Sequence, residues 1–184
     1  MFYIAPTVLH IAAKYEEIYP PHLDKIIALF LDWTLDEQQK ILDIEEDIHT
    51  TLKFEYLYVS PFYYLPRLFH CSKINDKKLF YLAQFILEMT LLEYKMLCYR
   101  SSILAASSFY LAFKILYEHS FDYTIFEELK ITTSEIRTCV TYLCPILIDK
   151  KFDSCFIYKQ KFYEKRFLGV ARDCYNKLKK INVI

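Results

Sequence analysis

Apolar residues in this chain recur mostly at steps of three and four, the spacing of one helix face. Ile4, Val8, Ile11, Tyr15 and Ile18 draw the first such stripe and predict a helix from about Pro6 to Ile18. Pro6 suits its first turn, where a missing N–H costs nothing. Pro20 and Pro21 stop it, because neither can donate the next backbone hydrogen bond and each restricts the residue before it. Ala12 and Ala13 leave room for a neighbouring helix. A short helix over His22 to Phe30 follows. Thr34 and Glu37 read as a capping box, hydroxyl to a free N–H and carboxylate reaching back. The helix they open runs to about Thr51, with Ile41, Ile44, Ile48 and Leu52 expected inward. Lys53 to Val59 reads as a connector.

A second helical group begins near Pro61, with helices expected at about 61–70, 76–97, 102–118, 124–130 and 133–149. Thr132 with Glu135 is a second capping-box candidate. From Ser101 to Tyr117 the only charge is Lys114. A helix apolar all round is a buried one, so this segment is expected at the centre of the second group. Its Ala105, Ala106, Ser107, Ser108 and Ala112 let neighbours pack close. Ile11-Ala12-Ala13-Lys14 is echoed by Leu111-Ala112-Phe113-Lys114 one hundred residues later, a faint sign of a duplicated all-α unit.

Composition narrows the function classes. One Gly in 184 residues disfavours hairpin-rich sheets and glycine-dependent phosphate loops. Zero formal net charge lacks the basic surplus of a nucleic-acid binder. The basic stretch from Lys150 to Lys180 and the acidic Glu45-Glu46-Asp47 read as solvated helix faces. The six Cys are scattered without a CxxC pair or a His at metal-ligand spacing, so reduced, mostly buried thiols are expected. No signal peptide or membrane span is expected: the first residues lack a basic n-region, and the longest apolar candidate, Ile103 to Ile115, is short and contains Lys114.

One run goes beyond periodicity. Ala12-Ala13-Lys14-Tyr15-Glu16-Glu17-Ile18-Tyr19-Pro20-Pro21 resembles the (A/S)K(F/Y)EE(I/M)YPP signature of cyclins, the regulatory subunits of cyclin-dependent kinases. Ile44-Glu45 and Leu52-Lys53-Phe54-Glu55-Tyr56 are similar to the stretch closing the first cyclin box. Leu82 to Tyr94 resembles the second-box helix of B-type cyclins, and Ser102 to Ala112 resembles "SxIAAxAFxLA". Tyr158 to Tyr163 with Gly169-Val170-Ala171 is similar to a late family motif. The likeness covers nearly the whole chain in the family's order and lies nearest the A/B mitotic group.

The resemblance implies an all-α fold of two consecutive cyclin-box helical domains. The expected division is a partial N-terminal box over 1–58, a C-terminal box over 59–149, and a C-terminal helix and tail over 150–184. It implies a regulatory subunit that binds and activates a cyclin-dependent protein kinase in G2/M control, in the nucleus and cytoplasm. No catalytic activity, cofactor, metal, nucleic acid, membrane or small-molecule substrate is implied. Lys14 and Glu45 match the family's charged pair that bonds kinase backbone groups. Ile11, Tyr15, Phe54 and Tyr56 match the apolar pocket beside it, although ordinary core packing also accounts for them. His49 stands where the family usually keeps an apolar pocket residue. The family's opening "MRAILVDW" helix is not in the sequence, so the first box is expected to be truncated at its N-terminus and to leave Ile4, Val8, Leu9 and Ile11 uncovered.

Two other classes compete. A cyclin-fold scaffold for transcription or DNA machinery would want a basic face and no KYEEIYPP element. An enzyme would need a nucleophile–base, HExxH or phosphate-loop arrangement, none of which the sequence contains. Asp32, Asp36 and Glu37 cluster, but carboxylates near a helix start are more often caps.

Overall fold

Helices account for every regular element among the described residues, which in this computed structural model are 2–30, 35–117, 120–148 and 156–178. The chain divides into two compact units, Met1–Tyr58 and Val59–Ile184.

The first unit holds α1 (Ile4–Glu16), α2 (Leu23–Ile27) and α3 (Leu35–Leu52). The Glu17 N–H bonds Ala13 O at 3.0 Å, and Glu17 itself is already extended. The helix thus ends before Ile18, ahead of the two prolines. The buried face of α1 differs from the apolar stripe. Pro6, Thr7, His10 and Ile11 are buried, whereas Ile4 is 47 % exposed, Val8 48 % and Tyr15 55 %. Positions 7, 10, 11 and 14 form a second helical row, and this is the row on which α3 packs. Thr7 tolerates burial because its hydroxyl donates to Tyr3 O at 2.7 Å. On α3, Ile41 is fully buried and Ile44 and Ile48 half-buried, but Leu52 is exposed. It sits in the last turn, beyond the reach of α1. Thr34 lies outside the described residues; Glu37 accepts from the Tyr3 hydroxyl at 3.5 Å.

The second unit is built around α6 (Ser101–Leu116). Every residue from Ile103 to Phe113 is buried, as its all-round apolar sequence predicts. Helices α4 (Tyr64–Ser72), α5 (Lys77–Met89) and α7 (Thr133–Ile148) pack on it. Asp76 caps α5, accepting from Lys78 N at 2.7 Å. Thr132 and Glu135 form the expected capping box: Glu135 N donates to the Thr132 hydroxyl at 3.3 Å, and Thr132 N to the carboxylate at 2.8 Å. The bonds its carboxylate accepts from the Thr132 N–H and hydroxyl, with help from Arg100, hold the Glu135 carboxyl below the usual range.

Two segments depart from the sequence reading. The helix expected over 76–97 ends at Met89 and continues as 3-10 turns over Thr90–Leu92 and Tyr94–Cys98, with Glu93 extended between them. Thr90 is buried and turns its hydroxyl back to Leu87 O at 2.7 Å, which competes with the helical ladder. The segment expected as a helix over 124–130 is a 3-10 helix, Tyr123–Leu129, capped by Asp122. The chain after α7 adds α8 (Phe156–Tyr163) and α9 (Val170–Leu178). Phe162, Val170, Ala171, Cys174 and Leu178 join the same core. Lys161 Nζ binds the Glu88 carboxylate at 2.7 and 2.9 Å, tying α8 to α5. Gly169 lies at φ +61, in the reversal between the Lys165–Phe167 turn and α9, where glycine carries no Cβ penalty.

Cys98, Cys139, Cys144 and Cys174 form no disulfide. Cys139 and Cys174 are buried, Cys71 and Cys144 half-buried, and Cys98 exposed. Burial pushes the thiols of Cys139 and Cys144 up to about 11, which makes them poor nucleophiles at neutral pH. Cys155 lies outside the described residues.

Candidate functional site

The first unit gathers most of the expected binding residues on one surface. Helix α1 presents Lys14 and Tyr15. Helix α3 presents Glu45 and, one turn on, His49, because residues four apart share a helix face. The chain then reverses. Lys53 and Phe54 both take left-handed conformations, φ 51 and φ 60, and Phe54 N bonds His49 O at 3.2 Å. Two consecutive non-glycine residues there are uncommon and carry strain. The result is that Phe54 and Tyr56 fold back over the end of α3.

The side chains interlock. Lys14 Nζ forms an ion pair with Glu45 Oε1. His49 Nε2 lies 3.5 Å from the same oxygen, and His49 Nδ1 shares a hydrogen bond with the Tyr56 hydroxyl. The His49 ring stacks on Phe54, centroids 4.8 Å apart and planes 7° from parallel. Tyr56 meets Tyr15 edge-on at 5.9 Å. Phe54 is 69 % exposed, while the Glu45 side chain is only 9 % exposed. An apolar rim therefore surrounds a recessed carboxylate.

His10, which sequence reasoning passed over, is buried beneath this pair. Burial, then the charge of Lys14, push its imidazole below the ordinary 6.5, partly offset by Glu45. Its position one helical turn before Lys14 was the only available signal. Ile11 is buried at 8 % exposure and supports the surface from within; it is not part of the rim. Glu16 and Glu17 are exposed.

Among the described residues no group of acids, histidines and cysteines could hold a metal, and no helix is long and apolar enough to cross a membrane. In the second unit a hollow of about 600 Å³ is lined by Tyr94, Lys95, Leu97, Cys98, Tyr99 and Tyr142. Three tyrosines supply half of these residues, and none of the six is a carboxylate or histidine.

Comparison with known proteins decides the family. The cyclin C-terminal domain matches residues 59–174, and the cyclin N-terminal domain matches residues 1–56. The chain belongs to the cyclin family. It is 37 % identical over 109 residues to Cyclin-B2-5 of Arabidopsis thaliana, covering 59 % of this chain and 40 % of that protein. Cyclin-A1-1 of Oryza sativa subsp. japonica is 27 % identical over 168 residues, covering 88 % of this chain and 33 % of the relative. Cyclin-A1-2 of the same rice is 31 % identical over 139 residues, 72 % of this chain and 29 % of the relative. These A- and B-type relatives are the group that the motifs resemble. The cyclin chain spans less than half the length of each.

Proposed function

We propose that this cyclin docks a cyclin-dependent protein kinase on the Lys14–Glu45 surface and favours the kinase's active arrangement. The observation that carries this reading is the convergence of the pair with Tyr15, Phe54 and Tyr56. A Lys ammonium offers donors to backbone carbonyls, a recessed carboxylate offers acceptors to N–H groups, and the aromatic rim offers apolar contact beside both. Charged hydrogen bonds in such a setting contribute about 1.5–3 kcal/mol each.

Activation needs no chemistry from the cyclin. A kinase must bring a Lys–Glu ion pair together before ATP phosphates are held correctly. A partner that binds the assembled state better shifts the population toward it. On this reading the protein is a regulator, and we place its role in G2/M control and its location in the nucleus and cytoplasm.

The test is capture of a cyclin-dependent kinase by the full chain together with a kinase assay. Lys14→Ala combined with Glu45→Ala should abolish capture and activation while helix content is kept. Losses of about 2–5 kcal/mol accompany truncation of desolvated charge pairs at interfaces. Retained binding by the folded double variant would remove this surface from the interface. A fluorescent fusion followed through division checks localisation; exclusion from the nucleus at every stage would contradict it.

A further inference from the structure

His49 touches every other member of the surface except Lys14 and Tyr15. Its Nε2 faces Glu45 Oε1 at 3.5 Å, its Nδ1 bonds the Tyr56 hydroxyl, and its ring stacks on Phe54. The two nitrogens face different chemistry. A carboxylate beside Nε2 favours the tautomer carrying the proton there, which leaves Nδ1 to accept from the Tyr56 O–H. Lys14 meets the same Glu45 oxygen from α1. Tyr56, His49, Glu45 and Lys14 therefore lie in one series of polar contacts across α1, α3 and the connector.

Protonation would reverse part of it. Both nitrogens of an imidazolium donate, so Nδ1–H must donate to the Tyr56 oxygen and the phenolic hydrogen must turn elsewhere. Glu45 would then sit between two cations and be a weaker acceptor for any third donor. The titratable groups around the ring are Glu45 on α3, Lys14 and His10 on α1, both of which act on Glu45, and Tyr56 on the connector.

We propose that His49 is the positioning residue of the docking surface: neutral, it holds Glu45, Phe54 and Tyr56 in the arrangement a kinase binds, and protonated it weakens docking. This rests on the kinase reading given above.

The experiment measures the dissociation constant of the full chain for a cyclin-dependent kinase by calorimetry at a slightly alkaline and at a mildly acidic pH. His49→Gln keeps a donor and an acceptor but cannot titrate. The unmodified chain should lose about tenfold more affinity on acidification than this variant, the scale of one weakened charged hydrogen bond. Taking that ratio cancels the pH dependence of the kinase and of His10. Equal slopes would overturn the proposal. At the higher pH His49→Gln should retain most of the affinity and His49→Ala should not; equal loss in two folded variants would also overturn it. A measurement without kinase separates the two readings. Imidazole nitrogen shifts of the free chain should report the Nε2–H tautomer, and Glu45→Gln should shift it toward Nδ1–H. A tautomer balance indifferent to Glu45→Gln overturns the proposal by itself. No kinase binding at either pH, alongside the expected tautomer, would overturn the kinase reading and with it the docking half of the proposal.

Discussion

The echoed tetrapeptides sit in opposite environments. Leu111, Ala112 and Phe113 are buried at the heart of the second unit, with helices packed around α6. Ile11 is buried in the first unit, but Ala12 and Lys14 are exposed and Ala13 is half-buried. Helix α1 has α3 and α2 as its packing partners among the described residues of its unit. The same local pattern thus makes a core helix in one place and a presenting helix in the other. What differs is the number of elements packed around it. The difference matters for function, because a helix wrapped on all sides has no side chain left to offer a partner, whereas α1 still has Lys14 and Tyr15.

The contrast should show most strongly between an inner residue of α6 and an outer residue of α1. Phe109 is fully buried on α6, and Phe109→Ala should cost about 3–5 kcal/mol. Val8→Ser on the exposed face of α1 should stay within about 0.5 kcal/mol. Denaturant melts of the full chain measure both. A large loss for Val8→Ser would show that the outer face of α1 is covered in solution.

The two lysines give the next contrast, in binding. Lys14→Ala should weaken kinase affinity by about 2 kcal/mol or more. Lys114→Ala should change it by less than about tenfold, or 1.4 kcal/mol, because Lys114 lies over the Tyr110 ring at 6.0 Å and forms no ion pair like Lys14–Glu45 among the described residues. Calorimetry on each variant decides. Equal losses would move the interface to the second unit.

A smaller effect belongs to the capping box. Thr132→Ala should cost about 1 kcal/mol and raise the Glu135 carboxyl part of the way toward its ordinary range, since it removes the hydroxyl bond and leaves the backbone N–H bond that holds it down most. The last effect is one of pH. The imidazole of His10 is pushed below 6.5 in the folded chain, so the unfolded chain takes up the proton first as pH falls. Stability is therefore full above about pH 6.5 and falls below it toward the depressed folded value. His10→Gln should flatten that part of the melting profile. An unchanged slope would mean that the ring is hydrated.

What the residues disclosed followed from how local each interaction is. The Thr132–Glu135 box was legible because both partners lie within one turn. The burial of α6 was legible because an all-apolar circumference leaves no face to choose. On α1 the inward row was misread, because Thr7 and His10 look polar and only the arrival of α3 makes them the inner face. The break at Met89 escaped notice because no proline or glycine marks it; Thr90 ends the helix through a hydroxyl bond that its sequence neighbours do not require. Lys14, Glu45, Tyr15, Phe54 and Tyr56 were reached through resemblance to the cyclin motifs. The stacking of His49 between them depends on a left-handed turn at Lys53–Phe54 that no periodicity encodes.

That turn bears on which substitutions the chain can absorb over generations. Lys73 and Lys130 also close helical segments in the left-handed region, where a side chain costs about 1–2 kcal/mol relative to glycine. A cation at a helix end returns only roughly 0.3–1 kcal/mol, so exchange for glycine is neutral to stabilising at either position. Lys53 shares this latitude. Its neighbour does not, because Phe54 must keep both its backbone conformation and its ring over His49. Across related genomes, variation should therefore accumulate on one side of that peptide bond and stop at the other.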